Sequence, residues 1–140
     1  MAQTDKPTAI GYGEIAKRMG TAGDATGSCF KKIVGLTGAC VAAEASTFLN
    51  PGGATKLAAN GYAIVDATTV KTSKTTVDDD TVEVNHVFTT KDAAQSVSGH
   101  AIENADADVV FQECCYADAI ATQVADTITI VSKLQFKLGA

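Results

Sequence analysis

Hydrophobic and polar residues alternate through the last fifteen positions of the chain. Ile128, Ile130, Leu134, Phe136 and Leu138 fall on even numbers; Thr127, Thr129, Lys133, Gln135 and Lys137 fall on odd ones. Successive side chains of a strand point to opposite faces, so the pattern predicts a half-buried strand over 126–140, broken only by Val131 and Ser132. A single strand cannot shelter its own apolar face, which implies an antiparallel sheet or sandwich around it.

The same rhythm recurs upstream. Val82, Val84, His86 and Phe88 share one face of a strand and Glu83, Asn85 and Val87 the other. Further strands are predicted from Tyr62 through Ile64 and Val70 to about Thr72, over Gln95–Ile102 and over Val109–Tyr116. A Thr-rich segment to Val77, an acidic turn at Asp78–Asp80, a turn near Lys91–Ala94 and a second acidic turn at Asn104–Asp108 separate them. No helix alternates with these strands, which disfavours a parallel α/β sheet. The expected fold is all-β, an antiparallel β-sandwich or jelly roll spanning 29–140.

The first half is less regular. Residues 1–28 are rich in Gly, Ala and Thr, with a short candidate helix at Gly13–Met19 on which Ile15 and Met19 form one stripe. This N-terminal stretch reads as a mostly irregular arm, either frayed or ordered on a neighbouring subunit. In the second case, removing residues 1–25 spares folding and weakens assembly. From Cys29 to Leu49 the periodicity is mixed. Two strands around a turn at Gly35–Gly38 are expected, although Ala42–Ala45 would equally suit a helical turn. Asn50-Pro51-Gly52-Gly53 and Asn60-Gly61 are turn signals, and the segment between them reads as a loop outside the core.

Composition narrows the function. The 140 residues, 46% hydrophobic, suffice for one core. The net charge is −5 and the eleven Lys and Arg are scattered, which argues against direct nucleic-acid binding and against a basic membrane-binding patch. No apolar run reaches the length of a membrane span, and charges at Asp5, Lys6, Glu14, Lys17 and Arg18 oppose a signal peptide, so the expected product is soluble and made in a cytoplasm.

Candidate chemistry is sparse. The spacing of Cys29, Cys40, Cys114 and Cys115 matches neither a zinc site nor a redox C-x-x-C, and adjacent strand cysteines point to opposite faces. Buried reduced thiols are expected in a cytoplasm. After release into an oxidising medium, pairing of Cys29 or Cys40 with Cys114 or Cys115 stays open. Common catalytic and phosphate-binding motifs are missing, so the chain reads as a non-enzyme without cofactor or metal. His86 is the best candidate general base, yet its place beside Phe88 on an alternating strand favours a hydrogen-bonded structural histidine, as for His100. Calcium at Asp78–Asp80 or at Asp106 and Asp108 is weighed against solvated turns, since no EF-hand spacing is present.

The block GYAIVDATTV, DDDTVEVNHVFTT, QSVSGHAIENADADVVFQECCYADAI and DTITIVSKLQFKLGA, over Gly61–Ala140, resembles small virion proteins of tailed bacteriophages. The likeness rests on strand patterns and covers just over half of the chain. It implies a β-sandwich or jelly-roll subunit on the phage particle. The first reading is a capsid decoration (cement) protein, dimeric or trimeric, bound across major capsid subunits on the virion surface; the alternative is a tail or fibre subunit. An enzyme or ligand-binding module is a distant third. Candidate contacts are Ile15 and Met19 of the arm, and Lys133, Gln135 and Lys137, where positive charge recurs on an acidic chain. Lysines on such a strand would equally serve to protect a sheet edge.

Overall fold

A computed structural model describes residues 4–7, 30–73 and 81–135. Nine strands are present among them: β1 (Thr4–Pro7), β2 (Phe30–Thr37), β3 (Thr55–Lys56), β4 (Val65–Asp66), β5 (Thr69–Ser73), β6 (Thr81–Thr89), β7 (Gln95–Asn104), β8 (Val110–Thr122) and β9 (Thr127–Gln135). A single 3-10 turn, Pro51–Gly53, is the one helical element of the described residues. The strands form two antiparallel sheets packed as a β-sandwich. The large sheet runs β1-β8-β7-β2-β3, with β4 also paired to β2, and the small sheet runs β5-β6-β9. The β7–β8 pair is nested in sequence inside the β6–β9 pair, so the chain crosses between sheets before β7 and again after β8.

The alternation read from sequence decides what lies between the sheets. Val84 and Phe88 of β6 and Ile128 and Ile130 of β9 point inward and meet Ile33, Val97, Ile102 and Phe111 of the large sheet, with Tyr62 closing one end. Burial of such side chains contributes about 1.5–3 kcal/mol each. The tilted rings of Tyr62 and Phe88 lie 5.2 Å apart, and the buried Tyr62 hydroxyl shares a 2.7 Å hydrogen bond with Thr90 Oγ1. Ser132, a break in the alternation, also faces inward and donates to Gln112 Oε1 across the sandwich at 2.9 Å. Val131, the other break, faces out.

Several expectations change. The Cys29–Leu49 region contains one strand, β2, in place of two around a turn. Gly35 lies mid-strand opposite His100 because the Tyr62 side chain occupies the space above it, where a Cβ would come within 2.9 Å of Tyr62 Cβ. The segment from Asn50 to Gly61 is a loop only in part: it carries the 3-10 turn and β3, and Pro51, Gly52 and Ala54 are buried. The strand expected from Tyr62 to Thr72 is divided into β4 and β5, with Tyr62 ahead of both. Gly61 adopts φ +90°, and a Cβ there would collide with the Thr89 carbonyl oxygen, so the turn must carry glycine. β7 and β8 extend past their expected ends, to Asn104 and Thr122.

Near the other terminus, β1 pairs with β8 in register Thr4↔Cys115 to Pro7↔Gln112, so part of the N-terminal arm fills an edge of the chain's own large sheet. The candidate helix at Gly13–Met19, the Asp78–Asp80 cluster and the end of the last predicted strand beyond Gln135 lie outside the described residues.

Candidate interaction surface

Both sheets have an outward face, and the two are treated differently. On the large sheet, Val34 and Leu36 of β2, Ala101 and Glu103 of β7, and Glu113 and Cys115 of β8 point away from the small sheet. The connection between β2 and β4 folds back across them as a strap, bringing Cys40, Phe48 and Ala54 onto Val34, Leu36, Ala101 and Val110. Covered on both faces, β7 is buried continuously from Val97 to Asn104. An additional residue in β8 near Phe111, seen as a register shift against Ile102 and Glu103, lets Val110 join the strap cluster while Phe111 packs between the sheets.

Three polar fastenings hold the strap. Glu113 Oε1 accepts hydrogen bonds from the Ala43 N–H at 2.6 Å and the Ser46 hydroxyl at 2.7 Å; Ser46 Oγ in turn accepts from the Gly52 N–H at 3.1 Å. Cys40 and Cys115 are joined by a disulfide, with Cα atoms 5.4 Å apart. This corrects the expectation of reduced thiols: Cys115 faces the strap, which carries Cys40 within bridging distance. Cys114, on the opposite face, is buried and takes no part in this bridge. Gly52 sits on the bridge, at φ +61°, where a Cβ would lie 2.8 Å from the Cys115 sulfur. Finally, the Lys56 ammonium contacts the Glu103 carboxylate and lies 3.2 Å from the centroid of the Phe48 ring.

The outer face of the small sheet is closed around Thr81 and Glu83, which are buried, and open around Val87 and Val131. Val87 of β6 opposes Thr129, and Val131 of β9 opposes Asn85, so the two valines are diagonal neighbours, 48% and 58% exposed. Ile64 and Val65 add exposed apolar area beside Val87. Val87, Ile64 and Val65, with Asn60, His86 and Lys91, line an open groove of about 400 Å³. Exposed apolar residues gathered in this way mark contact surfaces more often than residues scattered singly do.

The predicted contact residues divide. Lys133 lies on this face, exposed and ion-paired with Glu83 at 3.2 Å. Gln135 ends β9 opposite Thr81. Because β9 is an edge of the small sheet, a charged Lys133 suits edge protection as well as recognition. Ile15, Met19 and Lys137 lie outside the described residues. Sequence reading missed Val87, Val131, Ile64 and Val65 as a group. Val131 as a break in the alternation was the available signal.

The histidines are structural in setting. His86 Nδ1 is 3.1 Å from Thr68 Oγ1, its ring meets Phe88 edge-on at 4.6 Å, and burial lowers its pKa below the usual histidine value. Among the described cysteines, Cys40 and Cys115 are tied up in the bridge and Cys114 lies on β8 of the large sheet, whereas His86 belongs to the small sheet; Cys29 lies outside the described residues. His100 is buried with Nδ1 3.0 Å from the Tyr116 hydroxyl. In the second acidic turn, Asn104 Oδ1 accepts from the N–H groups of Asp108 and Val109, and Asn104 Nδ2 donates to Asp108, which fastens the turn internally. Among the described residues, no group of three or more His, Cys, Asp or Glu is placed to hold a metal. Neither a family model, nor a curated protein, nor a solved structure matches the chain.

Proposed function

We propose that this chain is a non-enzymatic structural subunit of a tailed-phage particle, acting as a capsid decoration protein that binds across neighbouring major capsid subunits. The observation that carries the reading is the exposed pair Val87 and Val131 on the small sheet, with Ile64 and Val65 of the neighbouring β4 region exposed beside Val87, while the outer face of the large sheet is fastened shut by the strap. The strand-pattern resemblance over Gly61–Ala140 supplies the particle. A sandwich with an exposed apolar patch works by contact area, and a shell multiplies weak contacts by presenting many equivalent sites. Binding the assembled shell and not its separated parts stabilises the shell by linkage.

The test mixes the purified protein with phage shells lacking it, sediments them and measures their disruption temperature. Saturable co-sedimentation and a raised disruption temperature are expected, both weakened by the paired changes Val87→Asp and Val131→Asp. Absence of binding, with elongated trimers or polymers in solution, would move the subunit to a tail or fibre.

A further inference from the structure

We propose that Lys56 and Glu103 condense into an intramolecular isopeptide bond, covalently joining the strap to strand β7. The pair lies on the outer face of the large sheet, under Phe48, with the Lys56 amine in contact with a carboxylate oxygen of Glu103. The Glu103 side chain is wholly buried, and the nitrogen of Lys56 is itself shielded from solvent. Among the described residues, no further hydrogen-bond donor satisfies either carboxylate oxygen of Glu103, an uncommon situation for a carboxylate at this depth.

The chemistry follows from that setting. In water an amine and a carboxylic acid both ionise near neutral pH, and this opposes amide formation because ammonium is no nucleophile and carboxylate is a poor electrophile. Here burial lowers the Lys56 pKa and raises that of Glu103, in each case outweighing the attraction between the two. Both groups are therefore biased toward the neutral forms that react. The Nζ lone pair adds to Glu103 Cδ; the C–N bond forms and the C–OH bond breaks. The departing hydroxyl leaves with one amine proton as water, so no oxidant, metal or other reactant is consumed. Contact held by the fold replaces an encounter in solution, the general source of high effective molarity. The bond would remove a buried ion pair and leave an uncharged amide in its place, ending the desolvation cost that both charges carry. It would also close the strap at its C-terminal side, as the Cys40–Cys115 bridge closes it at the N-terminal side.

The decisive experiment is mass spectrometry of the full-length chain, purified, reduced and alkylated. Reduction matters because the disulfide joins the same two tryptic regions: Cys40 and Lys56 fall between Lys32 and Lys71, and Glu103 and Cys115 between Lys91 and Lys133. The expected result is an intact mass one water below that of the sequence with its four cysteines alkylated, with a branched peptide linking Lys56 to Glu103 that survives reduction. The Lys56→Arg variant should regain the water and give separate peptides. An unreduced sequence mass with separable peptides in the wild-type chain overturns the proposal, as does a water loss that persists in Lys56→Arg. The wild-type peptide map decides the question even if the variant does not fold.

Discussion

The two outward faces of this sandwich carry opposite solutions to one problem. Each sheet has an inner face that meets its partner, and each must do something with the other side. The large sheet places ionisable groups there, Glu103 and Glu113, and buries them beneath a strap that carries their partners. The small sheet buries Glu83 there against Lys133, and beyond it places two valines that it leaves exposed. A buried polar group without a partner is costly, so Glu113 and Glu103 make any opening of the strap expensive, whereas Val87 and Val131 cost little where they are and gain if they are covered from outside. The first face is closed within the subunit; under the proposed function the second is closed by the capsid.

The comparison breaks first at the strap. Replacing Cys40 with Ser removes a bridge spanning 75 residues of sequence, and for a closed loop of that order the loss is about 4 kcal/mol of folding stability. Urea denaturation with and without reductant should show wild-type protein approaching the Cys40→Ser variant once reduced. An unchanged midpoint would mean that the remaining fastenings suffice to hold the strap. Next comes Glu113→Ala, which strands the Ala43 N–H and the Ser46 hydroxyl beneath the strap. Hydrogen bonds to a charged acceptor contribute about 1.5–3 kcal/mol each, and a loss of about 3 kcal/mol is expected. Faster hydrogen exchange at Ala43 and Gly52 in that variant, with β6 and β9 unchanged, would locate the damage in the strap.

Much of the fold was legible in the chain, and the unread part clusters at this strap. β9 and the second half of β6 obey the two-residue period because only one of their faces is buried there, so composition and position agree along them. β7 defeats the same reading. Ser98, His100, Glu103 and Asn104 look like a polar strand, yet all are buried because cover comes from both sides. Gly35 resembles a turn residue, but it is small because Tyr62 stands on it. A pattern of single residues cannot announce that a loop forty positions away supplies a second roof, nor that Lys56 will meet Glu103. On the small sheet the lysine at 133 was visible from its alternation. The adjoining valines were not, since exposed Val87 and Val131 differ from core valines only in which way the pleat turns them.

The exposed valines offer the sharper contrast in function. Val87→Thr and Val131→Thr keep β-branched side chains on a sheet surface and should alter folding stability by no more than about 0.5 kcal/mol. If that face meets the capsid, the same changes lower the amount of protein retained on shells at limiting concentration. Equal retention by the doubly substituted protein would shift the contact elsewhere on the subunit.

The smallest effect concerns His86, at the rim of the groove. Its lowered pKa means that the unfolded chain takes up a proton at higher pH than the folded one does. Stability linked to this group is therefore fully present above the unfolded histidine value of about 6.5 and is lost as pH falls from there toward the folded value. Thermal melts of wild-type protein and His86→Gln between about pH 7.5 and pH 5 should diverge in slope, with the variant the flatter of the two. Covering the groove deepens the burial of the ring and widens the same gap, so on shells the difference in slope should grow. A difference that is identical with and without shells would place the bound partner away from His86 and leave the valines to be tested without it.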